Sequence, residues 1–283
     1  MTKKNIAIIG LGLIGGSFGL VLKKKKMVKN IFGFDTKEEN QKIALKRKIV
    51  DKIMTFEEVI AKSDIIILAI PANKMHSVSL KVLDRITDQT VIEVGSIKQP
   101  LAQKIEKHPK RKNYILTHPM WGTENSGPLA ALDNAFINKN VVICDKEKSD
   151  KKHLSLIQEM YKSIGMNILY MNSEEHDLHA AYVSHISHIT SFALSLAVLN
   201  KEKDDNKIFQ LASGGFESTV RLAKSSSTMW TPIFIQNKKN ILSVLKENIH
   251  MLDEFMKAIE KEDTRKVNQL ILRANKIRKI LDK

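Results

Sequence analysis

Hydrophobic positions in the first 171 residues fall into short runs separated by stretches with helical spacing. Apolar, β-branched runs occur at Asn5–Ile9, Asn30–Phe34, Asp64–Ile70, Thr90–Val94, Tyr114–Thr117, Asn140–Cys144 and Asn167–Met171. Several are apolar at successive positions, as strands covered on both faces require. Between them, Ile14–Lys24, Lys37–Lys48, Phe56–Ala61, Asn73–Arg85, Gln99–Lys107 and Lys151–Ser163 have the spacing of amphipathic helices. Thr55, followed three residues later by Glu58, has the form of a capping box. This alternation predicts a largely parallel, doubly wound α/β sheet over residues 1–171.

The pattern changes near Asn172. From Glu174 to Asn200 there is no Pro, Gly, Lys or Arg, and Ala180–Leu199 is apolar or small almost all round. Such a helix is expected to be buried on most sides, in a bundle or at a subunit interface. Asn206–Lys224, Pro232–Glu260 and Asp263–Leu281 also show helical spacing. Residues 172–283 therefore read as an all-α domain. With no linker-like stretch between the halves, they should pack tightly.

Composition adds one unusual feature. Among 283 residues, 46 Lys+Arg face 31 Asp+Glu, a net charge of +15. Most of the surplus lies before residue 172, in the clusters Lys23–Lys26, Lys46-Arg47-Lys48, Lys110-Arg111-Lys112 and Lys151-Lys152. These stand beside expected turns and helix ends, where cations are solvated or complement a helix C-terminus. There is no long basic tail and aromatics make up only 6%, so a nucleic-acid partner is not expected. A positive field that gathers small anions fits better. The single Cys144 excludes a disulfide framework and suits a reducing cytoplasm. The apolar start, Ile6–Leu22, copies a signal peptide superficially, but five glycines interrupt it and a lysine block follows. The expectation is a cytoplasmic protein with no membrane partner.

Gly10-Leu11-Gly12-Leu13-Ile14-Gly15 follows the first strand and opens a helix. Gly10 permits the tight turn, Gly12 lets a pyrophosphate approach the backbone at Leu13 and Ile14, and Gly15 allows close helix–strand packing. Twenty residues after Gly15, Asp35 ends the second strand, where a carboxylate bonds the adenine ribose and disfavours a 2′-phosphate. The expected cofactor is NAD, although Lys37 leaves a phosphate contact open.

Three further clusters are rich in polar function: Glu93-Val94-Gly95-Ser96-Ile97-Lys98; His118-Pro119-Met120-Trp121-Gly122-Thr123-Glu124-Asn125-Ser126-Gly127; and Ser184-His185-Ile186-Ser187-His188, followed by Gly214-Gly215-Phe216-Glu217-Ser218-Thr219-Val220-Arg221 and Met229-Trp230. Together with the glycine motif, and in this order along about residues 5–235, they resemble the prephenate dehydrogenase family, which includes arogenate and cyclohexadienyl dehydrogenases. The resemblance implies a Rossmann domain joined to an all-α dimerisation domain and a homodimer. It also implies oxidative decarboxylation of prephenate to 4-hydroxyphenylpyruvate in tyrosine biosynthesis, with hydride passing to NAD. By the same resemblance, His118 accepts the hydroxyl proton and Ser96 bridges histidine, substrate and nicotinamide. Arg221 grips a substrate carboxylate, His188 lies near the pyruvyl side chain with His185 beside it, Glu124 gates or orders the pocket, and Trp230 is a wall or interface residue.

Each of these residues also has a plainer reading. Histidines at i and i+3 on an apolar helix are often satisfied core residues, and Arg221 has the form of an interdomain ion-pair residue. His176 and His179 form a second pair upstream, but the two pairs lie several turns apart, so no metal is expected. Two positions depart from the family pattern: Glu93 stands where Asp is common, and Met120-Trp121 replaces a smaller pair, so the indole is expected to reshape the pocket. Arogenate or dual-substrate activity is the alternative within the family. A silent NAD sensor or an RNA-binding module is the alternative outside it. The last expected helix runs nearly to residue 283, so no appended regulatory or mutase domain is expected in this sequence.

Overall fold

The apolar runs become strands β1 (Lys4–Ile9), β2 (Val28–Phe34), β3 (Lys52–Ile53), β4 (Ile65–Leu68), β5 (Thr90–Glu93), β6 (Tyr114–Pro119), β7 (Asn140–Cys144) and β8 (Asn167–Met171) in a computed structural model that describes residues 3–205 and 207–281. They form one sheet in the order β3-β2-β1-β4-β5-β6-β7-β8. β3, too short to show a period, went unrecognised in the sequence pattern. Neighbours run parallel except at β6–β7, where Thr117 lies opposite Ile143 and His118 opposite Val142 in antiparallel register. Helices α1 (Leu13–Lys24), α2 (Glu38–Lys46), α3 (Phe56–Ala61), α4 (Ala72–Leu83), α5 (Gln99–Ile105) and α6 (Lys151–Ser163) supply the connections. The capping box at α3 forms as expected: the Glu58 N–H donates to Thr55 Oγ1, and the Thr55 N–H to the Glu58 carboxylate.

Alternation along β1 sends Ile6 and Ile8 into one core layer with Phe18, Phe136 and Tyr161, and Ala7 and Ile9 into another with Leu68, Leu101 and Tyr114. A sheet covered on both faces, in this strand order, is a Rossmann-type doubly wound fold. Its crevice opens where the order reverses, between β1 and β4, at the carboxyl ends of the strands. Gly10 follows β1 there at φ 97°, a conformation glycine adopts without cost. A Cβ on Gly15 would stand 2.0 Å from the Gly10 carbonyl oxygen, so helix α1 approaches the loop only because residue 15 has no side chain.

The chain falls into two compact units, one ending at Asn237 and one beginning at Lys238. In the first, the sheet is followed by α7 (Ser173–Ala180), a π-helical turn at Ala181–His185, α8 (Ile186–Asp205), α9 (Gly214–Val220) and α10 (Ser227–Gln236). The apolar rod differs from expectation: Leu194, Leu196 and Leu199 of α8 are exposed in the single chain, so no intramolecular bundle buries them. The segment Ser173–Glu202 is long and apolar enough to cross a membrane by length and composition, but its first half carries the buried polar residues His176, Asp177 and His185.

The helix expected over Asn206–Lys224 is broken. Asn206 lies outside the described residues; beyond it, 3₁₀ turns at Ile208–Leu211 and Arg221–Lys224 flank α9, which opens at Gly214-Gly215 after an extended Ser213. The expected Pro232–Glu260 helix is likewise two, α10 and α11 (Lys238–Glu260), separated at Asn237. In the second unit, α11 and α12 (Thr264–Ala274) are joined by a Lys266–Glu254 ion pair of 2.8 Å, and Asp263 caps α12 through the Lys266 N–H. The expected Asp263–Leu281 helix stops at Ala274 and resumes after a 3₁₀ turn as α13 (Arg278–Leu281).

Gly15→Ala should lower stability by about 1–3 kcal/mol or more, as overpacking against fixed backbone does. Urea unfolding measures it, and unchanged stability would show that α1 can shift away from the loop.

Candidate active site

The loop after β1 has the geometry of a phosphate cradle. Helix α1 begins at Leu13 with no side chain capping it, which leaves first-turn N–H groups for a ligand. A Cβ on Gly12 would meet nothing within 4 Å, so open space lies where a pyrophosphate would approach. Asp35 accepts the Leu11 N–H at 2.8 Å through one carboxylate oxygen and the Lys37 N–H at 2.8 Å through the other. It thus braces the glycine loop from the end of β2. These features suit a dinucleotide.

At the carboxyl ends of β5 and β6 lies a buried polar cluster. Glu93 ends β5 with its side chain fully buried. One of its oxygens accepts the Gly95 N–H at 2.8 Å and the other meets the Lys98 ammonium, which also donates to the Thr117 carbonyl at 2.7 Å. The Ser96 turn is thereby pinned on both flanks and tied to the strand that carries His118. Here Glu93, longer than the aspartate common in the family, spans both the turn N–H and the lysine. Burial pushes its carboxyl above the ordinary value, against the pull of Lys98 and the Gly95 N–H.

His118 is buried on β6, and its Nδ1 lies 2.9 Å from His176 Nε2. His176 Nδ1 lies 2.8 Å from Asp177 Oδ1. Asp177 also accepts the Lys98 N–H at 2.8 Å and the Gln99 N–H at 2.8 Å. A carboxylate only accepts, so His176 donates from Nδ1 and accepts at Nε2. His118 then donates from Nδ1, which leaves the lone pair of its Nε2 for a ligand proton. Burial first, then His176, Lys98 and His185, hold the His118 imidazole well below its ordinary pKa, so it stays neutral.

Asn237, in the break between α10 and α11, extends the network: its side-chain amide donates to the Asp177 carbonyl at 2.7 Å and stands 3.1 Å from His185 Nδ1. His185, fully buried in the π-helical turn, has no partner for Nε2 among the described residues, and burial lowers its pKa to about 4. π-Helical turns of this kind recur at functional sites. Trp230 stacks on His188 at 3.5 Å and meets His185 edge-on at 6.0 Å. It also packs with Ile97, the neighbour of Ser96. Arg221 and Glu124, both singled out from the sequence, pair at 2.8 Å, with the arginine half exposed.

The structure therefore joins His118 to a dyad that sequence reasoning had considered only in part. His176 entered it only as a metal candidate and Asp177 not at all; a His-Asp pair opening an otherwise apolar helix was the available signal. His179 is exposed on α7 and acts on the cluster only through its charge, which helps to lower the His176 pKa. Trp121 is half-buried, its ring packing edge-on against core Phe136 at 5.7 Å. Among the described residues, no group of three or more His, Cys, Asp or Glu is arranged to hold a metal.

A Rossmann-type sheet with an uncapped glycine loop, and a neutral, buried imidazole on a neighbouring strand end, suit a nucleotide-dependent oxidoreductase. Residues 18–170 match the model of the prephenate dehydrogenase nucleotide-binding domain and residues 172–272 that of the prephenate dehydrogenase dimerization domain; the chain belongs to the prephenate dehydrogenase family. It is 30% identical to a prephenate dehydrogenase of Bacillus subtilis over 92% of this chain and 71% of that one. It is 27% identical to a cyclohexadienyl dehydrogenase of Zymomonas mobilis over 92% and 90%. Its fold superposes on the prephenate dehydrogenase of A. aeolicus, crystallised with hydroxyphenyl propionate and NAD+, with a TM-score of 0.91, 29% identity and coverage of 100% and 99%.

Lys98→Met should cost about 3–5 kcal/mol by leaving Glu93 buried without its cation, and Glu93→Gln with Lys98→Met should restore much of it; urea midpoints of the two variants decide this. Stability should also depend on pH in a defined direction. The pKa values of His118, His176 and His185 are all depressed in the fold, so the unfolded chain binds protons first as pH falls below about 6.5. Unfolding free energy should therefore decline from pH 6.5 downward, and a flat profile to pH 5 would contradict the buried neutral imidazoles.

Proposed function

We propose that the protein catalyses NAD-dependent oxidative decarboxylation of prephenate to 4-hydroxyphenylpyruvate, a step of tyrosine biosynthesis. The observation that carries this reading is the Asp177–His176–His118 chain, which presents an unprotonated Nε2 at the carboxyl edge of the sheet that also bears the glycine loop. Residues 1–171 take the nucleotide, and residues 172–283 supply the substrate side and the dimer contact.

The space at Gly12 and the open first turn of α1 receive the pyrophosphate, and Asp35, already fixed on the loop, is placed to bond the adenine ribose. NAD, when bound, accepts the hydride from the ring carbinol carbon. His118 Nε2 takes the hydroxyl proton, with Ser96, half-buried on its pinned turn, offering a hydroxyl to the same oxygen. The ring carboxylate leaves as carbon dioxide, its bonding pair completes the aromatic ring, and the resulting phenolate oxygen takes the proton back from His118 to give the phenol. Arg221 binds a substrate carboxylate in place of Glu124, whose own carboxylate it holds in this structure. Glu124 acts thereby as a gate. His185 and His188, backed by Trp230, face the pyruvyl side chain. The exposed leucines of α8 form the contact of a homodimer. The thiol of Cys144 is free and buried, in keeping with the cytoplasm.

A second reading, acceptance of arogenate as well, is favoured by the similarity to a cyclohexadienyl dehydrogenase. Nicotinamide reduction followed at 340 nm with prephenate and with arogenate, each with NAD, tests both; no signal with either would sink the enzymatic reading. His118→Asn should lower turnover by about 10²–10⁴ with NAD affinity nearly intact. Arg221→Ala should act chiefly on KM, with a loss of about 2–5 kcal/mol in substrate binding. Unchanged kinetics would return either residue to a structural role.

A further inference from the structure

The basic cluster Lys110-Arg111-Lys112 and the pair Lys151-Lys152 take no part in the chemistry above, yet the fold brings them together. A cavity of about 650 Å³ lies where the segment after α5 meets the turn before α6. β6 begins just after Arg111 and, running parallel to β5, carries its other end to His118. The cavity therefore sits at the edge of the sheet opposite the glycine loop and the Ser96 turn. Arg111 lines it at only 5% exposure. Its Nη1 donates to the Tyr114 carbonyl at 2.7 Å, whereas Nε and Nη2, the side-on fork of the guanidinium, are buried without an acceptor. Guanidinium groups buried to this degree ordinarily have acceptors on these donors. Burial holds the Arg111 pKa below its ordinary value despite the pull of Asp145 and Glu106.

The surrounding groups favour an anion. Lys107, Lys112 and Lys151 line the cavity and make no ion pair among the described residues. Of the carboxylates there, Glu106 is paired with Lys148 at 2.7 Å and Asp150 caps α6 through the Lys152 N–H at 2.8 Å, which leaves Glu147 as the uncommitted negative charge.

We propose that this cavity is a binding site for a phosphorylated small molecule, whose phosphoryl group docks on the Nε/Nη2 fork of Arg111 with Lys112 and Lys151 about it. The fork matches two oxygens of a phosphoryl group, and the extra lysines suit a dianion better than a single carboxylate. Because Nε and Nη2 are enclosed, docking requires the Arg111 side chain to turn toward the cavity. The site is separate from the nucleotide crevice and independent of which substrate the active site takes.

The test is calorimetric titration of the full chain, held saturated with NAD so that the crevice is filled, with inorganic phosphate, glycerol phosphate and malonate as probes. Saturable binding of both phosphates, tighter than malonate, is expected. Lys112→Ala with Lys151→Ala should weaken it at least tenfold without changing the circular dichroism or the activity of the enzyme. Arg111→Lys, which keeps the charge but loses the fork, should weaken it likewise. Absence of binding in the parent chain, equal binding of malonate, or retention of full affinity in the folded variants would overturn the assignment.

Discussion

One carboxylate holds the catalytic region together. Asp177 receives two backbone N–H groups from the Lys98–Gln99 segment and the Nδ1 of His176, and its own carbonyl receives Asn237. The segment after β5 that places Ser96, the helix that supplies His176 and the break that contains Asn237 all converge there. Asp177 is almost fully buried, so its oxygens find their hydrogen bonds in these donors rather than in water. Remove its acceptor atoms and the backbone donors, the imidazole orientation and the seat of the helical segment lose their common partner.

The buried Glu93–Lys98 pair extends the same logic to the sheet. It fixes the turn between β5 and α5 and reaches across to β6 through the Thr117 carbonyl. A buried pair of this kind contributes little net stability compared with apolar residues of equal size. Its contribution here is positional: it ties the turn after β5, which carries Ser96, to β6, which carries His118. The ammonium also lies close enough to disfavour protonation of both His118 and His176. One pair thereby helps to fix both geometry and protonation state.

Much of this was legible in the sequence. The glycine motif, Asp35, and the alternation of β-branched runs with amphipathic helices mark local requirements of backbone and burial, and local requirements leave periodic traces. The histidine after β6 and the Ser96 turn were legible through their motifs. Asp177 and Asn237 were not, because their roles arise from contacts between segments dozens of residues apart, and neither breaks a period. The β6–β7 reversal was invisible for the same reason: strands buried on both faces look alike in either direction. The breaks that replace two expected helices were hidden by helical spacing on either side of them. Exposed leucines on α8 show a further limit, since a pattern can demand burial without saying whether the cover comes from the same chain.

The claim on which the mechanism rests is a proton inventory: Asp177 fixes the tautomer of His176, which fixes that of His118. Long-range ¹H–¹⁵N correlation spectra of the imidazole nitrogens at pH 7 read this directly. The account predicts that His118 and His176 are both neutral and protonated at Nδ1, with Nε2 of His118 bearing the lone pair. A His118 protonated at Nε2, or carrying a positive charge at that pH, would contradict it.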